Sequence, residues 1–145
     1  MSLPPPRPGL VISYSFLWAD EHRQGLEEGR KARPCAIVAA RQMIEGREIV
    51  TVLPITHASP SEPSDALELP VGLKAHLGLD GERSWVLVTQ INDFIWPGPD
   101  LRPISRAQPS VFHYGMLPPR FFAHLRTMLL QAHANRRLRR VARTE

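Results

Sequence analysis

Short apolar stretches separated by polar turns dominate the first four fifths of the chain. Apolar and β-branched residues alternate or run together over a few residues, which is typical of strands. Proline, glycine, serine and aspartate gather between these stretches and predict turns and surface loops. The predicted strands are residues 10–16, 34–40, 49–55, 66–69, 85–91 and 111–114.

The connections differ in length and composition. Residues 17–32 are polar and charged, and they predict a long loop, a kind of segment that is often functional in a compact domain. Residues 57–64 predict a second exposed loop, and residues 73–77 predict a single helical turn. Residues 92–103 are rich in proline and predict an irregular surface segment.

The last part of the chain has the apolar spacing of a helix. Pro118 and Pro119 suit the first helical turn, where the missing N–H has no partner to lose. From residue 135 the chain is polar and basic, and we expect it to fray or project. Many short strands followed by one helix predict a mostly β fold, a small barrel or rolled sheet whose helix covers the sheet. The apolar helix face comprises Phe121, Phe122, Leu125, Met128, Leu129 and Ala132.

Length and composition limit the possible classes of protein. The 145 residues correspond to one domain that can bury a core without disulfides. Cys35 is the single cysteine, so it cannot form an intrachain disulfide. The proline-rich start lacks the apolar region of a signal peptide, and no apolar run would span a bilayer. We therefore expect a cytoplasmic protein with a lead-in at 1–8, one domain at 9–134 and a basic tail at 135–145.

The positive charge is concentrated at the carboxyl end. The chain carries a net charge of +4, and residues 120–145 contain seven arginines and a single acid, Glu145. Such a cluster attracts phosphate backbones or acidic partners. It is equally consistent with a solvated helix end, where cations are favourable beside the helix dipole.

Two short motifs carry candidate chemistry. Arg33 and Pro34 open the second predicted strand, and a guanidinium there offers a rigid fork of donors for phosphate oxygens. Glu28, five residues earlier, could orient Arg33 or take a proton, although the pair could also be an ordinary surface salt bridge. Thr56 and His57 follow the third strand, where a hydroxyl could bind phosphate and an imidazole could transfer a proton. The plainer alternative is a turn-capping threonine beside a solvent-exposed histidine.

In order and spacing, these motifs resemble the PemK/MazF family of toxin endoribonucleases. The family has an arginine–proline pair at the second strand and a proline–hydrophobic–threonine turn after the third, matched here by Arg33-Pro34 and Pro54-Ile55-Thr56. Its acid five residues before the arginine is matched by Glu28, and its later strand ends in a glutamine, matched by Gln90. The resemblance covers residues 9 to 134.

The resemblance implies an SH3-like small β-barrel of the PemK/MazF/CcdB type and a metal-independent endoribonuclease that acts as the toxin of a type II toxin–antitoxin system. It implies that the RNA 2′-hydroxyl attacks the adjacent phosphorus, leaving a 2′,3′-cyclic phosphate and a 5′-hydroxyl. Arg33 and Thr56 would hold the phosphate, and either Glu28 or His57 would be the general base. The implied partners are single-stranded RNA, a cognate antitoxin and a second copy of the chain in a homodimer.

Further residues are candidates for contacts with RNA. They are Arg30, Lys31, His22, Trp18 and Gln90. Exposed aromatic rings stack on unpaired bases, although the large ring of Trp18 favours packing at the rim of the core over such a role. The histidines and the lone cysteine show no metal-ligand spacing, so we expect neither a metal nor a cofactor.

Thr89 and Leu87 mark a departure from the family. Members commonly have an aspartate just before the glutamine, and some have an arginine two residues further upstream, at positions implicated in proton transfer. This departure favours an alternative function, a non-catalytic module of the same fold that binds nucleic acid or protein.

Overall fold

The computed structural model describes residues 3–23, 31–43 and 45–143, with the backbone alone at residues 22 and 23. Its main element is one mostly antiparallel sheet of eight strands, accompanied by three helices. The strands are β1 (Leu10–Tyr14), β2 (Arg33–Gln42), β3 (Glu48–Thr56), β4 (Ala66–Glu68), β5 (Trp85–Leu87), β6 (Gln90–Ile95), β7 (His113–Met116) and β8 (Arg139–Ala142). The helices are α1 (Ala19–Arg23), α2 (Val71–Leu77) and α3 (Pro119–Ala134), and a 3-10 turn spans Pro63–Asp65.

The β2–β3 hairpin is the centre of the sheet. The strand order is β4-β5-β3-β2-β1-β7, and β6 also pairs with β3, farther along the same edge as β5. Gly46 turns the hairpin with a positive φ of 79°, a conformation that glycine adopts without steric cost. Within the described residues, no pairing between the edge strands β4 and β7 closes the sheet. None of the described helices is long and apolar enough to cross a membrane.

Both faces of the sheet are buried. On one face, Val11, Ala36 and Leu53 pack with α2 and α3. On the other face, Ile12, Ile37 and Val52 pack in a second cluster around Tyr14 and Phe94. Burial on both sides explains why these strands are continuous apolar runs rather than clean alternations of apolar and polar residues.

The C-terminal helix agrees with the prediction from its spacing. Leu125 and Ala132 are buried, and the other residues of the predicted face pack against the same core. The expected mostly β fold with a helix on the sheet is therefore confirmed.

The predicted strand at 85–91 is in fact two strands. The chain breaks at Val88, whose N–H donates to the Asp65 carbonyl oxygen at 2.8 Å. This break lets β5 pair with the end of β3 while β6 pairs with its middle. The strand β6 then continues to Ile95, inside the segment that was expected to be irregular. Helix α1 likewise lies within the predicted loop at 17–32.

The expectation that the basic end projects is wrong for residues 139–143. Strand β8 pairs in parallel with β6, from Gln90 opposite Arg139 to Asp93 opposite Ala142. Arg143 follows and is buried, with 8% of its surface exposed. The charge of this segment is typical of a solvated tail. Its burial depends on partners from distant parts of the chain.

Candidate functional site

The start of β2 and the end of β3 lie side by side in the sheet. Cys35 pairs with Pro54 and Ala36 pairs with Leu53 in an antiparallel ladder. Arg33 and Thr56 each lie two residues beyond the Cys35–Pro54 pair, at the same end of the two adjacent strands. The hairpin therefore places near each other the two residues that the sequence placed at the ends of separate strands.

Arg33 and Thr56 also share a face of the sheet. The opposed pair Cys35 and Pro54 projects to one side, and Arg33 and Thr56 each lie two residues along from that pair, which returns them to the same side. Cys35, two residues after Arg33, belongs to the cluster of Tyr14 and Phe94, so Arg33 lies at the edge of that face. Tyr14 on β1 is the neighbour of Arg33 on the other side. The site thus lies at one end of the two central strands.

Arg33 has an unusual hydrogen-bonding state. Its guanidinium carbon lies 4.9 Å from the centre of the Trp18 ring, a cation–π contact. Its Nε is buried, yet nothing in the described part of the chain accepts a hydrogen bond from it. A buried donor without an acceptor is costly, and native proteins rarely keep one without a ligand or water to satisfy it. The arrangement suits an anion that would accept from Arg33.

Trp18 is held in place by two amides of β6. The Asn92 side chain accepts from the Leu17 N–H and donates to the Leu17 carbonyl oxygen, each at 2.8 Å. The Gln90 side chain accepts from the Ala19 N–H at 2.9 Å. Gln90 was predicted as a residue that contacts RNA, and the structure shows it anchoring the chain next to Trp18. Sequence analysis missed Asn92, whose signal was a polar amide inside an apolar strand.

The Thr56 hydroxyl can still donate a hydrogen bond to a ligand. Its hydroxyl oxygen accepts from the Ala58 N–H at 3.1 Å, the turn contact that the plainer interpretation expected. A hydroxyl has one proton to donate as well as its lone pairs. That proton is available to a phosphate oxygen placed between Thr56 and Arg33.

His57 is engaged with the loop at residues 80–84. Its Nδ1 lies 2.8 Å from the Arg83 carbonyl oxygen, and its Nε2 lies 3.0 Å from an Asp80 carboxylate oxygen. Ser84 adds a contact between its hydroxyl and Nδ1 at 3.2 Å. Turning the ring toward Arg33 would break these contacts, so this arrangement does not favour His57 as the general base.

The same loop contains the group of side chains that could best hold a cation. Ligand atoms of His57, Asp80 and Glu82 lie within 4.8 Å of one another, and all three residues are exposed. The ammonium of Lys74, a buried side chain, already donates to Asp80 at 3.0 Å. This hydrogen bond lowers the pKa of Asp80 below its ordinary value. A divalent ion here would meet a fixed positive charge, so the group is a poor metal site.

Cys35 is a core residue, as expected. It is completely buried in β2. Burial raises the pKa of its thiol, and the nearby Arg33 charge offsets only part of this effect. A thiol that stays protonated is not a nucleophile.

The remaining candidates lie at the edge of the site or beyond the described residues. Lys31 is exposed, two residues before Arg33. Glu28 and Arg30 lie outside the described residues, and so does the side chain of His22. The structure therefore brings Arg33 into contact with Trp18, places Gln90 beside the residue that follows Trp18, and leaves Thr56 at the same end of the hairpin as Arg33. His57 is bound to a separate loop.

In comparisons with known proteins, no protein-family model matches the chain. No curated protein and no solved structure matches it either.

Proposed function

We propose that this chain is an endoribonuclease that cleaves single-stranded RNA without a metal ion, as the toxin of a type II toxin–antitoxin system. The observation that carries the proposal is the buried Nε of Arg33, a donor without an acceptor among the described residues, at the same end of the β2–β3 hairpin as Thr56. A phosphodiester between them would supply that acceptor.

The reaction requires three tasks of the protein. A base takes the proton of the 2′-hydroxyl, and the O2′–P bond forms as the P–O5′ bond breaks. The negative charge on the phosphorane must be stabilised, and the leaving 5′-oxygen takes up a proton from the protonated base or from water. Arg33 would stabilise the charge that develops on the phosphorane oxygens, and the Thr56 hydroxyl would donate to the same group. Glu28 is the preferred base, because the His57 ring is bound to the loop at 80–84.

The surroundings of Arg33 suit a single strand. Trp18 stacks under the guanidinium, and this platform is fixed through Leu17 and Ala19. Aromatic platforms beside cations bind unpaired nucleotides with little dependence on sequence. Lys31 adds an exposed positive charge two residues before Arg33. Arg30 and His22 remain proposed RNA contacts on the basis of the sequence.

The proposal includes the fold and the setting of the enzyme. The amides of β6 bond to the chain that follows β1, which supports a sheet curled into an SH3-like barrel of the PemK/MazF type. In this proposal the toxin is a cytoplasmic homodimer that a cognate antitoxin restrains.

A second candidate is a binding module without catalysis. It is favoured by the engagement of both His57 nitrogens, which leaves Glu28 as the single proposed base. Thr89 in place of the family's aspartate points the same way. Such a module would still use Arg33 and Trp18 to bind a strand.

The test is cleavage of mixed RNA in EDTA by the wild-type chain, Arg33→Ala and Arg41→Ala. Arg41 is an exposed arginine at the other end of the same strand, so it controls for loss of charge. We expect fragments ending in 2′,3′-cyclic phosphate, a rate about a hundredfold lower in Arg33→Ala, and no change in Arg41→Ala. Absence of cleavage by the wild type would reject the enzyme, and RNA binding that still depends on Arg33 would then support the binding module.

A further inference from the structure

A second basic region lies where the end of α3 meets the start of β6. It is an open recess of about 360 Å³, which we call the arginine recess. The residues that line it come from three separate parts of the chain: Asp65, Thr89, Gln90, Arg136, Arg137 and Arg139. Three guanidinium groups there face one carboxylate, so the recess has an excess of positive charge.

The three arginines differ in how they are neutralised. Arg137 donates to Asp65, which occupies the one acidic group. Arg139 has a loose ion pair with Asp20 at 3.8 Å. The Arg136 residue is exposed, and its guanidinium has no hydrogen bond or ion pair to any other part of the described chain. The unneutralised charge of the recess is therefore centred on Arg136.

The backbone of Arg136 indicates that this charge is not incidental. Its φ is 58°, the left-handed conformation that follows a helix C-terminus. The Arg137 N–H donates to the Ala132 carbonyl oxygen and the Arg136 N–H to that of His133, which is the usual hydrogen-bonded ending of a helix. Glycine is the favoured residue at this position because a Cβ is strained there. An arginine therefore stands where folding alone favours glycine.

The recess is connected to the candidate site through one side chain. Gln90 lines the recess and also accepts from the Ala19 N–H, next to Trp18, on which Arg33 stacks. Gln90 therefore borders both the recess and the segment that carries Trp18. The Thr89 hydroxyl and the Gln90 amide supply polar groups suited to a phosphate and its ribose.

We propose that the arginine recess binds a backbone phosphate of the same single-stranded RNA, a few nucleotides away from the bond held at Arg33. The inference rests on the proposed function for the identity of the strand. An acidic protein segment is the less favoured occupant, because the recess is continuous with the site through Gln90 and presents forked donors suited to phosphate oxygens.

The experiment measures binding rather than cleavage. A fluorescent 2′-O-methylated RNA 12-mer, whose nucleophile is blocked, is titrated into the full-length wild-type chain, Arg136→Gly, Arg136→Lys and Arg120→Gln at several salt concentrations. Arg120 is an exposed arginine at the opposite end of α3 and serves as the matched control. Thermal unfolding of each variant shows whether the fold is intact.

We expect Arg136→Gly to bind RNA roughly tenfold more weakly. The salt slope, which is the slope of the logarithm of the binding constant against the logarithm of the salt concentration, should be smaller in magnitude by about 0.7, the value for one phosphate contact on a single strand. Its melting temperature should not fall, because glycine relieves the left-handed strain. Arg136→Lys should retain the salt slope, and Arg120→Gln should bind as the wild type does.

Three results would overturn the inference. The first is an equal loss of affinity in Arg136→Gly and Arg120→Gln, and the second is no binding of the 12-mer by the wild type. The third is an effect of Arg136→Gly on the binding of a polyglutamate peptide, titrated in the same way, with no effect on the binding of RNA. Arg136-dependent binding by a chain that cleaves no RNA would reject the nuclease and leave the recess assignment standing. Cleavage by the wild type with no effect of Arg136→Gly on RNA binding would support the nuclease and reject the recess assignment.

Discussion

Two arginines that are far apart in sequence, Arg143 and Arg33, differ in their hydrogen bonds. Arg143 is buried behind β8, where its Nη1 donates to the Tyr14 hydroxyl, the Ser15 carbonyl oxygen and the Asn92 side chain, and its Nη2 to Asp100. Arg33 lies in the same sheet beside Tyr14, yet its buried Nε has no acceptor among the described residues.

The difference separates a structural arginine from a candidate binding arginine. Arg143 has its charge compensated by Asp100 at 2.7 Å and lies 5.5 Å from the Tyr14 ring centre. Its hydrogen bonds join β1, β6 and the segment before β7. Arg33 receives one aromatic contact and leaves a donor unused, which is the state expected of a group that completes its hydrogen bonds with a ligand.

The largest expected effect is on stability, in Arg143→Ala. Removing this arginine takes from the buried Asp100 its hydrogen-bonded partner and leaves the looser ion pair with Arg102 at 3.7 Å, and breaking a buried pair typically costs about 3–5 kcal/mol. We expect the free energy of unfolding in urea to fall by that amount. Arg106→Ala, at an exposed position, is the control and should change it by less than about 0.5 kcal/mol. A loss below about 1 kcal/mol in Arg143→Ala would show that the buried cluster is not a structural centre.

Arg33→Ala should give the opposite pattern. We expect RNA cleavage to fall about a hundredfold, while the free energy of unfolding changes by less than about 1 kcal/mol, because the Nε has no hydrogen bond to lose. Single-turnover cleavage and urea unfolding on the same preparation measure both quantities. Destabilisation as large as that of Arg143→Ala would remove the contrast between the two arginines.

Tyr14→Phe should sharpen the comparison with a smaller effect. The substitution removes the hydroxyl that accepts from Arg143 at 3.2 Å and keeps the ring that stacks on Phe94 at 4.4 Å. Since Arg143 keeps its other acceptors, we expect a loss of about 1 kcal/mol in urea unfolding. Cleavage per folded molecule should stay unchanged, and a change in it would mean that Tyr14 acts on Arg33 rather than on Arg143.

The smallest expected effect is the pH dependence of Asp80, a half-exposed partner of the buried Lys74. The hydrogen bond from Lys74 lowers the pKa of Asp80 from its ordinary value of 3.8. The ionised Asp80 carboxylate therefore stabilises the fold fully above its ordinary pKa. This stabilisation is lost as the pH falls through the lowered pKa. Solvent screening limits it to less than about 1 kcal/mol.

The measurement is the difference in unfolding free energy between the wild type and Asp80→Asn. This difference should shrink between pH 6 and pH 3. A difference that stays constant over this range would show that the ionised carboxylate does not stabilise the fold.

Local patterns were sufficient for the elements that carry the candidate site. The apolar runs and the turn at Gly46 predicted β2 and β3, and a tight hairpin places the start of one strand beside the end of the next. Residues 33 and 56 could therefore be expected to converge from sequence alone. The apolar stripe of α3 was equally local, because its 3.6-residue period is a property of one helix.

Non-local contacts decided the rest. Neither the division of residues 85–91 into two strands nor the contacts of His57 could be inferred locally, because Asp65, Asp80 and Arg83 supply the deciding partners. The same holds for Asn92, whose value lies in bonds to Leu17, 75 residues away.

What the sequence alone determined about this protein is a mostly β domain with a covering helix and an arginine and a threonine at neighbouring strand ends. Only the tertiary structure placed the basic C-terminal segment in the sheet, with Arg143 bonded to Tyr14 across 129 residues. The physical reason is that a charge enters a protein interior only when its partners are already assembled there, and those partners are distant in sequence.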